Sequence, residues 1–212
     1  MILVLLKGIG IGLAVAAPVG PIGLLCIRRT LMDGRAAGLA TGLGAATADG
    51  VYGLMVAAGF AATGVLVSYT DPLAVAGGLL VAALGVMSLR GYWAARNAPA
   101  PQAAGRGRPY RGVAAAWATT FALTLSNPMT ILAFVGMIAA LGSAASGTAL
   151  APYLLVVGVF TGSALWWLLL VHMAHFAGAR MNAGAMHWLD LASGSVLLIW
   201  GLWIAGSAVS FS

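Results

Sequence analysis

The sequence predicts an all-α integral membrane protein of six transmembrane helices, a 3+3 inverted-topology repeat with helices one and four broken. Three observations predict it. The chain is 62% hydrophobic and 7% charged, with a mean hydropathy of +1.02, whereas a soluble domain carries about 25% charged residues. Apolar stretches that approach or exceed the roughly 20 residues needed to cross a bilayer recur six times. Two of them are interrupted at matching places by proline, in Ala17-Pro18-Val19-Gly20-Pro21-Ile22-Gly23 and in Leu125-Ser126-Asn127-Pro128-Met129-Thr130.

The first span is expected over about Ile2–Ile27. Ala14-Val15-Ala16 mimics a leader cleavage site, but no basic residue precedes the apolar run and Lys7 interrupts it. A retained first helix is therefore expected. Pro18 and Pro21 break it, because proline lacks an N–H and clashes with the carbonyl one turn back. In lipid the freed backbone groups need partners, so such breaks persist only where protein buries them or a cavity hydrates them. The second span, Ala36–Leu66, is rich in glycine and contains Asp49. The third is Pro72–Leu89. The fourth, Gly112–Leu141, carries the Asn127-Pro128 break. The fifth and sixth are Ala149–Met173 and Trp188–Val209.

Between the spans lie Arg28–Arg35, the turn Ser68–Pro72, the Pro- and Arg-rich loop Arg90–Arg111, the Gly/Ser turn Gly142–Thr148 and the segment His175–His187. The organisation is thus a first three-helix repeat over 1–95, a cationic linker over 96–111 and a second three-helix repeat over 112–212. Loops one, three and five carry Arg28, Arg29, Arg35, Arg90, Arg96, Arg106, Arg108, Arg111 and Arg180, while loops two and four carry no Lys or Arg. Cytoplasmic loops are the basic ones, so both termini are expected outside. The net charge of +6 then reads as a topology signal, not a nucleic-acid patch, and no nucleic-acid partner is expected.

The halves are weakly similar. Gly44-Ala45-Ala46-Thr47-Ala48-Asp49 aligns with Gly158-Val159-Phe160-Thr161-Gly162-Ser163, and Gly78 and Gly85 align with Gly194 and Gly201. Because each half has an odd number of spans, the second crosses the membrane in the opposite sense. Paired Gly/Pro interruptions in inverted repeats point to a transporter binding site. Asp49 is the one acid deep within a span. A carboxylate there costs roughly 2.5–3.5 kcal/mol to insert, and such residues mark ion or substrate paths.

Several motifs together resemble one known family. Pro18-Val19-Gly20-Pro21-Ile22, then Arg28-Arg29-Thr30-Leu31 and Gly34-Arg35, form a first block. Gly38, Gly42, Gly44, Ala48-Asp49-Gly50 and Tyr52-Gly53 form a second, and Asn127-Pro128 a third. The pattern resembles the lysine/homoserine exporter (LysE/RhtB) family of amino-acid exporters over nearly the whole chain. Many members have a tighter Pro-Gly-Pro, which Val19 separates here, and an Asn where this chain has Ile22. The resemblance implies a secondary transporter of the bacterial inner membrane, exporting amino acids or related small metabolites by alternating access driven by an ion gradient.

The candidate substrate site comprises Pro18, Gly20, Pro21, Asp49, Ser126, Asn127 and Pro128. Half-helix N-termini are suited to a substrate carboxylate. Asp49 is suited to a substrate ammonium and to a coupling proton. Trp166 and Trp167 read as packing, with closure over an apolar substrate part as the alternative, and Trp188, Trp200 and Trp203 as interface or core residues. His172/His175 and His187/Asp190 are spaced to share helix faces, yet without a His-Glu-x-x-His pattern they imply neither metal site nor catalysis. Cys26, the single cysteine, reads as inert packing. No cofactor, no metal and no enzymatic activity are expected. The expected partners are a small-molecule substrate and membrane lipid, with a homodimer open. The alternatives are a metal-cation exporter on the same plan, which the scarcity of acids disfavours, and a non-transporting membrane enzyme or assembly subunit.

Overall fold

The computed structural model describes residues 1–18, 20–57, 70–97, 112–127, 130–131, 133–134, 150–178 and 183–210. Within these the chain is helical, without strands. The helices with defined bounds are α1 (Ile2–Ala16), α2 (Pro21–Met32), α3 (Arg35–Ala57), α4 (Thr70–Asn97), α5 (Val113–Leu125), α6 (Ala151–Gly178) and α7 (Ala183–Ser210). Three stretches are long and apolar enough to cross a membrane: Pro72–Arg90, Ala151–Gly178 and Leu191–Ala208. The pair α1 and α2 makes a fourth if it is one broken span. The protein is an all-α, multi-pass membrane protein.

The first expected span, Ile2–Ile27, is two helices whose axes diverge by 83°. α1 ends at Ala16, and α2 restarts with Pro21 at its first position and Gly20 as its extended N-cap. Proline suits that position, since the N–H it lacks has no helical partner there. At about 1.5 Å per residue, the 15 residues of α1 rise roughly 22 Å, short of a hydrocarbon core of about 30 Å. If the pair is one broken span, α1 alone is too short to cross and the break falls within the depth of the bilayer.

The expected loops are shorter than composition suggested. α2 runs to Met32, so Arg28 and Arg29 are helical. Only Asp33 and Gly34 separate it from α3. Gly34 has φ +94°, a left-handed turn that glycine adopts without a Cβ clash. α4 continues through Arg90 and Arg96 to Asn97, and of the expected fifth loop His175 and His187 are helical, in α6 and α7, while residues 179–182 lie outside the described residues. The remaining linker residues, 98–111, lie outside the described residues. α3, at 23 residues, is long enough to span but does not reach the hydropathy of the stretches above. Its Thr41 and Asp49 are turned into the bundle and buried.

Glycines set the closest helix contacts. On α1, a Cβ at Gly8 would lie 2.9 Å from the Gly158 Cα, and one at Gly12 would fall on the Val159 carbonyl. On α6, a Cβ at Gly158 would lie 2.5 Å from the Leu5 carbonyl oxygen, and one at Gly162 would fall on the Ile9 carbonyl. Each helix thus presents a small-x-x-x-small pair that lets two backbones touch. Numbering rises together along this contact, so α1 and α6 are parallel. α3 and α6 are antiparallel. Gly53 meets Val156, Gly50 meets Phe160 and Gly42 meets Trp167. At their ends an Arg35 Nη2 donates to His172 Nε2 at 2.6 Å, while His172 Nδ1 lies 2.8 Å from the Leu168 carbonyl and donates to it.

The contacts between α4 and α7 are reciprocal. A Cβ at Gly78 would meet Gly201 O and Ala205 N, each at 2.7 Å. One at Gly85 would meet Gly194 O at 2.8 Å and Leu198 N at 2.5 Å, and one at Gly194 would meet Leu89. Shifting each α4 position by 116 and each α7 position back by 116 turns each of these contacts into another that the two helices make, Gly85 against Leu198 becoming Gly201 against Ala82. A like exchange, with offsets of 114 and 112, relates Gly158 against Leu5 of α1 to Gly44 against Trp117 of α5.

Candidate functional site

The two helix breaks meet at a cavity. From the first break come Pro18, Gly20 and Pro21, with Ile22 and Gly23 in the first turn of α2. From α3 come Ala45 and Asp49, one turn apart. Thr124 and Asn127 come from the end of α5, Thr130 from just beyond it, and Trp167 from α6. The cavity measures about 60 Å³. A single water needs about 10–15 Å³ on that measure, so there is room for a handful of heavy atoms.

Asp49 is 3% exposed. Ser163 Oγ donates to its Oδ2 at 2.6 Å, joining α6 to α3. The other side chain one turn along α6 on that face is Trp167, so Ser163 and Trp167 address the same region. Thr47, two residues from Asp49, faces elsewhere: its hydroxyl donates to Leu43 O and accepts from the Trp117 indole. The first intrahelical bond of α2 runs from Leu24 N–H to Gly20 O at 3.1 Å. The amides of Ile22 and Gly23 precede it and border the cavity, where the helix dipole favours negative charge.

At the second break, where α5 ends, the Leu125 carbonyl accepts the Tyr52 hydroxyl. Asn127 N–H bonds Thr124 O at 3.2 Å, and Ile131 N–H bonds Asn127 O at 3.1 Å, so helical bonding resumes directly after the break. Ser126 does not line the cavity. Its hydroxyl donates to Ala122 O at 2.8 Å, and it packs on Gly77. Pro128 lies outside the described residues. Of the site expected from sequence, Pro18, Gly20, Pro21, Asp49 and Asn127 are brought together.

Sequence reasoning missed Arg29 and Thr124, and read Trp167 as packing, with closure over an apolar substrate part as the alternative. Arg29 was counted with a loop but is 6% exposed within the bundle. Its Nη1 donates to Thr41 Oγ1, Ala116 O and Thr120 Oγ1 at 3.1–3.2 Å, tying α2 to α3 and α5. Thr41 and Thr120 spend their own hydrogens on Ala37 O and Ala116 O, which leaves their oxygens free to accept. Thr124 Oγ1 and Trp167 Nε1 are the buried side-chain polar atoms among the described residues that have no hydrogen-bond partner. Both belong to residues that line the cavity. An unpaired buried polar group costs about 1–3 kcal/mol, which sets these two apart from the paired polar groups around them. Cys26 is fully buried in the cluster around Ala45 and Trp167, as packing.

A model of the LysE type translocator family matches residues 13–207. The chain belongs to the LysE type translocator family. The match runs from the last turn of α1 into α7 and includes every residue lining the cavity. No curated protein and no solved structure matched the chain. As a LysE type translocator, the protein has a transport site to place, and the cavity at the two breaks joins the features such a site needs: depth within the bundle, a carboxylate, free helix amides and room for a small solute.

Proposed function

We propose that this translocator is a secondary exporter of amino acids or related small metabolites across the bacterial inner membrane, coupled to protons. Asp49 carries the reading. It is a buried carboxylate on α3, in a cavity built from both helix breaks. A substrate ammonium docks against Asp49, and its carboxylate meets the first turn of α2. Asp49 accepts a proton when the ammonium leaves, so that proton entry and substrate exit use one group. The two halves act as an inverted 3+3 repeat of six spans, residues 1–95 and 112–212, which rock about the cavity to open it to either side. The reciprocal contacts of α4 with α7 support that arrangement.

Vesicles containing the protein and preloaded with a panel of labelled amino acids test the function. Efflux of at least one of them is expected, faster with an imposed proton gradient. Failure of the whole panel to leave faster than from empty vesicles overturns the reading. Orientation has its own test. With both termini outside and residues 98–111 in the cytoplasm, Gly105→Cys is expected to resist an impermeant thiol reagent added to intact cells and to react after lysis. Ready labelling in intact cells means the reverse orientation.

A further inference from the structure

We infer that Trp167 and Thr124 read the carboxylate of the transported solute and so select amino acids over the amines that lack one, an inference that rests on the cavity being the substrate site. Two independent features of the structure carry it. The first is the pair of orphaned atoms. Trp167 is 7% and Thr124 3% exposed, and neither the indole N–H nor the hydroxyl has a partner. On α5 the hydroxyls of Thr119, Thr120 and Ser126 each donate to the carbonyl four residues back. Thr124 alone among them does not, although its helix offers the same carbonyl. Its hydroxyl is held for something else.

The second feature is the chemistry around those atoms. An indole nitrogen is a donor only, so the ligand atom facing Trp167 is an acceptor. The amides of Ile22 and Gly23 border the same cavity and call for the same thing. Asp49, on the same cavity, calls for the opposite, a cation. One small solute meets both demands when it carries an ammonium and a carboxylate. An amine without the carboxylate would satisfy Asp49 and leave Trp167, Thr124 and the amides unpaired. Sites that bury donors in this way reject analogues lacking the acceptor far better than apolar pockets reject an extra methylene.

The full chain, purified in detergent, gives the test. Equilibrium binding is measured for radiolabelled L-alanine, L-threonine, L-leucine and L-lysine, each beside the amine that decarboxylation yields. The wild-type protein is expected to bind at least one amino acid and to prefer it to its amine. Trp167→Phe keeps an aromatic ring, though a smaller one, and removes the N–H. It should cut that preference by on the order of 10- to 100-fold, the worth of one hydrogen bond to a charged group, by weakening amino-acid binding while amine binding stays within about twofold. Thr124→Val, isosteric without the hydroxyl, should shift the ratio in the same direction. Thr124→Ser should restore it, and this small pair serves even where Trp167→Phe fails to fold. An unchanged ratio in the variants means that water alone pairs with these atoms, and equal weakening of both ligands means they only pack; either overturns the inference while wild-type amino-acid binding keeps the site reading intact. No amino-acid binding by the wild-type protein overturns both.

Discussion

Asp49→Asn is expected to insert and fold, and to lose proton-driven export. The substitution keeps the shape of the side chain and an oxygen for the Ser163 hydroxyl, which donates at 2.6 Å in the native protein. On the proposed reading it removes the charge that would attract an ammonium and the site that would take a proton. If Asp49 only fastens α3 to α6, Asn serves as well, because a neutral amide oxygen accepts the same bond. A coupling role predicts efflux in reconstituted vesicles falling to the level of empty ones under an imposed pH gradient. The yield and thermal stability of the variant should stay near wild type. Wild-type efflux by Asp49→Asn would sink the coupling role and leave the helix breaks as the substance of the site.

Gly12→Ala is expected to damage the fold itself. The added methyl falls on the Val159 carbonyl and lies 2.9 Å from Ser163 N. Both are backbone atoms of α6, which cannot turn aside as a flexible side chain would. Overpacking of this kind costs typically 1–3 kcal/mol, and here it also pushes Ser163 away from Asp49. Detergent-solubilised Gly12→Ala should melt several degrees below wild type and give less monodisperse protein. Gly10→Ala is the control. Nothing lies within 4 Å of a Cβ there, and alanine favours helix over glycine, so no loss is expected. Equal melting of Gly12→Ala and wild type would show that α1 and α6 are not held at backbone contact.

The features legible in the sequence were those where one residue contradicts its surroundings. Prolines inside apolar runs announced the break after Ala16 and the one at Asn127. An acid deep within an apolar run announced Asp49. Element ends were less legible, for a physical reason. Arg28, Arg90 and His175 look like loop residues by polarity, yet each continues a helix that has reached a polar boundary, where charge and helix coexist. Arg29 was hidden because its burial depends on hydroxyls of Thr41 and Thr120 from two other helices, whose convergence no local pattern encodes. Trp167 had only the common signature of an aromatic in a membrane helix. Its unpaired nitrogen is a property of the assembled cavity. α3 averages less apolar than the other stretches because residues such as Thr41 and Asp49, which are buried in the bundle, lower its mean.

The bond between Ser163 and Asp49 joins residues 114 positions apart, the same two positions that the sequence comparison of the halves aligns. In an inverted repeat, a residue that touches its own counterpart lies on the axis relating the halves. Two aspartates facing each other there would have to share a proton or repel. With serine opposite, the hydroxyl donates to the carboxylate, so the seam between α3 and α6 holds one acid, tied by a neutral partner and facing no second charge of its own kind.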